Sequence, residues 1–176
     1  MLERFYPDRM ADSAYGIDYE ELYGRGYRGI IYDVDNTLVE HGAPATKRAV
    51  ELFERLHGIG FSAVLLSNNR EPRVKSFAED VRYADYIFKA GKPSARGYRE
   101  AMRRMGTDER NTLFVGDQLF TDVWGAKNAG IYSILVKPIH PKEESQIVLK
   151  RQLEKIVLYF YRRKKGRGKD DDGRIY

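Results

Sequence analysis

The sequence predicts an α/β fold with three layers, in which a Rossmann-like, doubly wound parallel sheet of about five strands lies between two layers of helices. One observation and one general rule of chain topology support this prediction. Short apolar runs, typical of buried strands, alternate along the chain with longer segments in which apolar residues recur at helical spacing. Strands that alternate with helices form right-handed β-α-β units, which place the strands parallel to one another and cover both faces of the sheet.

The apolar runs predict strands at residues 29–32, 61–66, 86–88, 112–115 and 132–136. Helical spacing predicts helices over residues 45–57, 71–81, 94–105 and 122–129. Several helix ends carry residues with known positional preferences: Pro72 lies in a first turn, Ser94 is a capping residue, and Gly60, Gly106 and Gly130 follow helix ends. Because no internal repeat is present, this alternation predicts one core domain over residues 29–140.

A leader, residues 1–28, precedes the first predicted strand and is rich in aromatic and acidic residues. Asp18 is expected to cap a short helix over residues 19–23, with Glu21 as its partner in a capping box. We interpret the leader as a lid that packs on the core over the first strand. The alternative is a surface that contacts substrate or membrane.

Composition excludes several kinds of chemistry. The chain has no cysteine, which excludes disulfides, thiolate metal sites and cysteine nucleophiles. No apolar stretch approaches the length of a membrane span. The first residues lack a basic segment followed by an apolar core, so no signal peptide is expected. The expected compartment is therefore the cytoplasm, with peripheral contact at the inner membrane face as a further possibility.

The net charge of +5 belongs to the C-terminal segment rather than to the core. Residues 150–169 contain nine Lys or Arg and one acidic residue, and the other residues contain 22 basic and 25 acidic ones. Nucleic acid is therefore not the expected partner of the core. Over residues 141–176 we expect a basic amphipathic helix and tail, with apolar positions at Leu149, Leu153, Ile156, Val157 and Phe160. This helix either contacts anionic lipid or packs on the sheet and continues into a solvated tail.

Polar side chains follow the predicted strands at the points where these strands end. Asp33 and Asp35 follow the first strand, Ser67 follows the second, Asp117 follows the fourth, and Lys92 comes shortly after the third. In a parallel doubly wound sheet these ends lie along one edge, where ligands bind. Carboxylates with room for water suit Mg²⁺, while lysine and hydroxyl donors suit phosphate oxygens. The sequence therefore predicts a phosphate-directed magnesium site at this edge.

The arrangement resembles the haloacid dehalogenase (HAD) superfamily in its phosphatase branch. All four motifs of that superfamily are present in order, at Asp33-Val34-Asp35-Asn36-Thr37, at Ser67-Asn68-Asn69, at Gly91-Lys92-Pro93 and at Gly116-Asp117-Gln118-Leu119-Phe120-Thr121-Asp122. The match covers about residues 29–136. Neither gap between the first three motifs leaves room for a cap domain. The wording of the four motifs, with Asp-Asn-Thr-Leu in the first and Gly-Asp-Gln-Leu-Phe-Thr-Asp in the fourth, and the leader before the first strand resemble those of the capless, IIIA-type phosphatases that include phosphatidylglycerophosphatases.

The resemblance implies catalytic roles for four residues. Asp33 would be the nucleophile that forms an aspartyl-phosphate, and Asp35 would protonate the leaving oxygen and then activate the hydrolytic water. Ser67 and Lys92 would hold and neutralise the transferring phosphoryl group.

The resemblance also implies the ligands of Mg²⁺. These would be the Asp33 carboxylate, the Asp35 backbone carbonyl and Asp117, with Asp122 acting directly or through water. Thr37, Asn68 and Asn69 are further candidates for substrate binding, although Asn69 is equally suited to cap the following helix.

Three hypotheses about function follow. The first is a Mg²⁺-dependent phosphomonoester hydrolase acting on phosphatidylglycerophosphate at a membrane surface. The second is a phosphatase for a soluble sugar phosphate, a nucleic-acid end or a phosphoprotein. The third is a non-enzymatic protein whose tail binds RNA or another polyanion. Without a cap the site is expected to be open, which suits a large substrate or a partner subunit that acts as a lid.

Overall fold

The structure is a computed structural model, and it describes residues 2–140 and 145–165, with side chains in the last helix described from residue 151 onward. Over this part of the chain the strands are β1 Arg9–Ala11, β2 Gly29–Tyr32, β3 Ser62–Leu66, β4 Ala84–Ile87, β5 Thr112–Gly116 and β6 Tyr132–Val136. The α-helices are α1 Tyr19–Gly24, α2 Lys47–Ile59, α3 Glu71–Val81, α4 Ala95–Met105, α5 Trp124–Ala129 and α6 Ser145–Lys165. Two 3₁₀ turns, Leu2–Phe5 and Ala14–Gly16, and a π-helical turn, Leu119–Val123, complete the described elements.

All neighbouring strands are parallel, in the order β1-β6-β5-β2-β3-β4. From β2 the chain proceeds outward in one direction through β3 and β4, and it then returns to the other side of β2 for β5 and β6. The winding direction therefore changes between β2 and β5. In open parallel sheets this is the point where a ligand crevice forms, outside the carboxyl ends of the strands.

Alternate residues of the central strands pack on opposite helix layers. Ile30 and Tyr32 lie in a buried cluster with residues of α1, α2 and α3, whereas Ile31 lies in a second cluster with residues of α4 and α5. This alternation follows from the period of two along a strand. The three-layer α/β fold predicted from the sequence is confirmed.

The sheet has one strand more than the sequence predicted. Part of the leader, Arg9–Ala11, forms β1 and pairs with β6, with Arg9 in register with Ile134. This strand is three residues long and only partly buried, so it produces no apolar run. The expected leader helix is present as α1, and the Asp18 side chain accepts a hydrogen bond from the Glu21 backbone N–H at 2.9 Å.

The helix predicted over residues 122–129 also differs in the structure. It begins as α5 at Trp124, and the residues before it form the π-helical turn. In that turn the N–H groups of Asp122 and Val123 both donate to the Gln118 carbonyl oxygen, at 3.0 and 3.2 Å. Such wide turns are frequent at functional sites, and this one carries the last residues of the fourth motif.

The C-terminal helix α6 packs with one face on the π-helical turn and on the first 3₁₀ turn. Glu154, Val157 and Tyr161 are buried on this face. Leu153, Ile156 and Phe160 lie on the adjacent face, about 100° around the helix, and remain 51%, 54% and 45% exposed. Of the described apolar positions in the predicted stripe, Val157 is the buried one and lies at the border with the packed face. Leu149 and the tail beyond residue 165 lie outside the described side chains.

Between the first two motifs the chain contains the single helix α2, and between the second and third it contains α3 and β4. No cap domain is therefore inserted at either place, both of which lie within the described residues. In the same part of the chain, no helix combines the length and apolarity that a membrane crossing requires.

Candidate active site

The first motif begins where β2 ends. The Asp33 N–H donates to the Val115 carbonyl oxygen at 3.0 Å, which extends the pairing of β2 with β5 by one residue. The chain then turns at Asn36, whose φ of +63° lies in the left-handed region that Asn tolerates better than most residues. The Asn36 N–H donates to the Val39 carbonyl oxygen at 2.7 Å and closes the turn. This turn separates the surroundings of the Asp33 and Asp35 carboxylates.

Asp33 lies at the centre of a buried cluster of charges. Lys92 Nζ is 2.6 Å from Asp33 Oδ1 and 2.7 Å from Asp122 Oδ1. Thr37 Oγ1 lies 3.4 Å from Asp33 Oδ2 and 3.1 Å from Asp117 Oδ1. Carboxylate oxygens of Asp33, Asp117 and Asp122 all lie within 4.8 Å of one another. The structure thus brings together the predicted nucleophile, the predicted phosphate-binding lysine and two predicted metal ligands.

Burial and crowding shift the ionisation of these groups. Burial raises the pKa of Asp33 to about 6, against the opposing effect of the Lys92 ammonium. Burial and the neighbouring carboxylates of Asp33 and Asp122 also hold the pKa of Asp117 well above its usual value. Burial alone would lower the pKa of Lys92, but the carboxylates of Asp122 and Asp33 outweigh it and raise that pKa.

A divalent cation fits this cluster. Buried carboxylates that repel one another are stabilised by a bound cation, and oxygen ligands are those that Mg²⁺ prefers. Both Asp122 oxygens already accept hydrogen bonds, Oδ1 from Lys92 and Oδ2 from the N–H groups of Asp117 and Gln118 at 3.2 and 3.0 Å. Both predicted modes for Asp122, direct and through water, stay predictions. The Asp35 carboxylate is not part of the cluster, and its predicted metal contact involves only its backbone carbonyl.

The second motif is tied to the third. Ser67 is buried directly after β3, and its Oγ accepts from the Asn69 N–H at 3.1 Å. The Asn68 side chain bonds twice to the Lys92 backbone, accepting from its N–H at 2.8 Å and donating to its carbonyl oxygen at 3.2 Å. Through these two bonds the Asn68 side chain fixes the position of the Lys92 backbone. Its predicted contact with substrate stays a prediction, as does that of Thr37.

Asn69 lies beside Asp35 rather than at the cap of α3. Its Nδ2 is 3.4 Å from Asp35 Oδ2, and its Oδ1 accepts from the Arg70 N–H at 2.8 Å. Arg70 holds the N-cap position of α3. The interpretation of Asn69 as the helix cap is therefore wrong, because the helix begins one residue later than that role requires.

Arg73 is a site residue that the sequence analysis missed. It lies in the first turn of α3, and its Nη2 is 3.0 Å from Asp35 Oδ1. The same carboxylate oxygen accepts from the Gly42 N–H at 2.9 Å. Burial alone would raise the pKa of Asp35, but the Gly42 N–H and the Arg73 guanidinium outweigh burial and hold that pKa below its ordinary value. Asp35 is thus held apart from the Lys92 cluster.

Arg151 and Glu154 of α6 were also missed. Arg151 Nη1 donates to the Asp117 carbonyl oxygen at 2.6 Å and to Glu154 Oε2 at 2.9 Å, and Arg151 Nη2 pairs with Asp117 Oδ2. Glu154 Oε1 accepts from the Leu119 N–H at 2.7 Å. The spacing of these two residues, three apart on a helix, places them on one face. Nothing in the sequence indicates that this face meets the fourth motif.

A buried carboxylate cluster with one lysine thus lies at the point where the parallel sheet changes its winding direction, as the resemblance to the HAD superfamily predicts. Over residues 89–143 the chain matches the family model described as HAD-hydrolase-like. The probable phosphatase YqeG of Bacillus subtilis is 38% identical over 166 residues, which cover 93% of this chain and 96% of that protein. The chain belongs to the HAD-like hydrolases and is a phosphatase, so the hypothesis of a non-enzymatic polyanion-binding protein is not retained.

Two further comparisons reach more distant proteins. Phosphatidylglycerophosphate phosphatase 1 of Arabidopsis thaliana is 25% identical over 159 residues, which cover 84% of this chain but only 44% of that protein. The chain thus spans less than half the length of this relative. A crystal structure of a HAD family hydrolase from Deinococcus radiodurans, with bound phosphate and sodium, has a TM-score of 0.57 at 14% identity. The alignment covers 72% of this chain and 88% of that one, and it supports the fold alone.

Proposed function

We propose that this phosphatase hydrolyses a phosphomonoester through an aspartyl-phosphate on Asp33, with Mg²⁺ as its cofactor. The observation that carries the proposal is the separation of the two aspartates of the first motif. Asp33 is buried between Lys92 and Thr37, whereas Asp35 is held by Arg73 and the Gly42 N–H outside the carboxylate cluster. This separation supports the assignment of phosphoryl transfer to Asp33 and of proton transfer to Asp35.

The residues then act in two half-reactions. The Asp33 carboxylate attacks phosphorus, and the bond from phosphorus to the ester oxygen breaks. Asp35 donates a proton to the leaving oxygen, so it must carry that proton when the substrate is bound, although Arg73 and the Gly42 N–H hold its pKa below the ordinary value. Asp35 next removes a proton from a water molecule, which attacks the aspartyl-phosphate and releases inorganic phosphate and the Asp33 carboxylate. Lys92 and Ser67 bind phosphoryl oxygens in both steps. Asp33 and Asp117 would hold Mg²⁺, which would supply positive charge that offsets the crowding of carboxylate and phosphate oxygens.

The substrate that we propose is phosphatidylglycerophosphate at an anionic membrane surface. The absence of a cap insert leaves room for a substrate whose phosphate is attached to a bilayer. The outer face of α6 exposes Leu153, Ile156 and Phe160, and Arg162 and Arg163 are exposed on the same helix. Apolar side chains beside cations are the pattern that binds an anionic lipid surface, where each basic residue contributes about 1 kcal/mol. The plant relative named for this substrate supports the same choice.

A comparison of substrates tests this proposal. Purified protein with Mg²⁺ would be given phosphatidylglycerophosphate in mixed micelles and, separately, sugar phosphates, phosphorylated oligonucleotide ends and a phosphopeptide. We expect the highest kcat/KM with the lipid. Efficient hydrolysis of a soluble ester without turnover of the lipid would refute the lipid assignment. Asp33→Asn is expected to abolish turnover of every substrate, and full activity in this variant would show that Asp33 is not the nucleophile.

Membrane contact is tested separately by substitutions on the outer face of α6. Ile156→Gln combined with Phe160→Gln removes exposed apolar area without touching the residues that face the fourth motif. This double variant should sediment less with vesicles that contain phosphatidylglycerol, while it hydrolyses a small soluble ester at the wild-type rate. Unchanged vesicle binding would refute the contact. Deletion of α6 is a poorer test, because it would also remove Arg151 and Glu154.

A further inference from the structure

We infer that Arg151 and Glu154 of the C-terminal helix are positioning residues that hold Asp117 and the fourth motif in the geometry that binds the metal. They form a clamp between α6 and the carboxyl end of β5. The inference deepens the proposed function and depends on it in one respect, namely that Asp117 is a metal ligand.

The first argument for the clamp is its geometry. Arg151 reaches both the carbonyl oxygen and the carboxylate Oδ2 of Asp117, while Thr37 Oγ1 lies 3.1 Å from the other carboxylate oxygen. Glu154 bonds to Arg151 on one side and, at 2.7 Å, to the Leu119 N–H on the other. The loop from Asp117 to Leu119 is therefore held at its backbone as well as at its side chain. A planar guanidinium that bridges several oxygens restricts orientation, which a single ammonium does less well.

The second argument is the location of the charges. Glu154 is 5% exposed, and the Arg151 side chain is 17% exposed. Buried ion pairs contribute little net stability compared with apolar residues of similar volume, which could join α6 to the core equally well. Val157 and Tyr161 already provide apolar packing on the same face of α6. A charged pair at the end of this face, directed at a predicted metal ligand, is therefore better explained by orientation of Asp117 than by attachment of the helix.

Positioning and simple charge compensation predict opposite effects on cation binding. If Arg151 served only to neutralise Asp117, its removal would make the site more negative and strengthen the binding of Mg²⁺. If Arg151 orients Asp117, its removal weakens binding, and loss of such outer partners typically costs about 10- to 100-fold in metal affinity or activity. The direction of the change therefore distinguishes the two roles.

The experiment is calorimetric titration of the full chain with Mg²⁺ for the wild type, Arg151→Gln and Arg151→Lys. We expect Arg151→Gln to weaken binding about 10- to 100-fold, and Arg151→Lys, which keeps the charge, to weaken it also. Lys155→Gln is the control, because it removes the same charge from an exposed position of the same helix. Binding by Arg151→Gln that equals or exceeds that of the wild type would overturn the inference, as would wild-type binding by Arg151→Lys.

Arg151→Gln leaves Glu154 buried without this partner, so a second variant protects the test against loss of folding. The double variant Arg151→Gln/Glu154→Gln removes both charges and keeps an oxygen that can accept from the Leu119 N–H. Circular dichroism would verify that it is folded, and it should bind Mg²⁺ as weakly as the single variant. Wild-type affinity in the folded double variant would contradict the clamp. Metal binding is measured directly and does not depend on turnover. The inference can therefore fail while the wild type still hydrolyses phosphate esters, and the proposed function can fail while Arg151 still governs Mg²⁺ binding.

Discussion

Gly116 is the last residue of β5 and is buried, and we predict that Gly116→Ala damages both stability and catalysis. A Cβ atom at this position would lie 2.6 Å from Asp122 Oδ2 and 2.6 Å from Phe114 Cε1. Ordinary van der Waals contact lies at 3.4–4 Å, so Asp122 and Phe114 would both have to move by about 1 Å. Asp122 cannot move without disturbing its bonds to Lys92 and to the Asp117 N–H.

The expected size of the effect follows from this overlap. Overpacking a buried position costs about 1–3 kcal/mol. For a chain of this length each kcal/mol corresponds to about 2–4 °C in Tm, so the expected decrease is roughly 2–12 °C. A displacement of about 1 Å in a catalytic group can reduce turnover about 100-fold, and Lys92 would shift together with Asp122.

Thermal unfolding followed by circular dichroism, and kcat with a small soluble phosphomonoester, measure the two effects. Gly58→Ala is the matched control, because Gly58 lies in α2 and a Cβ there meets nothing within 4 Å. This control should stabilise the fold by about 0.4–1 kcal/mol and leave kcat unchanged. The packing argument is refuted if Gly116→Ala unfolds at the wild-type Tm and retains wild-type kcat.

Three other perturbations test separate parts of the site. Asn68→Ala removes both side-chain bonds to the Lys92 backbone. We expect the free energy of unfolding, measured by denaturant titration, to fall by about 1–3 kcal/mol, and kcat to fall as well. An unchanged kcat would show that Lys92 is positioned without Asn68. Arg73→Gln removes the ion pair at Asp35 but leaves the Gly42 N–H in place, so steady-state kinetics should show a lower kcat, and full activity would contradict a role for Arg73 in holding Asp35. Treatment with EDTA should abolish activity and added Mg²⁺ should restore it, whereas turnover that persists in EDTA would refute the metal requirement.

The central strands were predictable because strands buried on both faces of a parallel sheet consist of short apolar runs. The predicted fifth strand, residues 132–136, coincides with β6, and the first predicted strand coincides with β2. In contrast, β1 contains Arg9, Met10 and Ala11 at a partly buried edge, where no apolar run or alternation develops. The π-helical turn was also not predictable. A single turn of this kind is too short to produce a recognisable repeat of apolar residues in the sequence.

Within the site, the residues at strand ends were predictable and the residues that support them were not. The topology of a parallel sheet brings Asp33, Ser67 and Asp117 to one edge, independently of how the helices are rotated against the sheet. Arg73 and Arg151 instead project from helices, and their direction depends on how each helix is rotated against the sheet. That rotation is set by packing across the whole interface, which a single sequence does not specify.

The helix α6 shows why its orientation was difficult to predict. Its apolar spacing, read alone, favours burial of Leu153, Ile156 and Phe160, yet these side chains are exposed and the buried face carries Glu154. Arg151 and the Leu119 N–H satisfy Glu154 on that face, so its burial does not leave an unpaired charge. The buried contacts of α6 do not use the exposed apolar stripe. Substitutions in the stripe, or a partner bound to it, would therefore leave the packing of the helix unchanged. One face of α6 therefore contacts the fourth motif, and the exposed stripe remains available for the membrane contact that we propose.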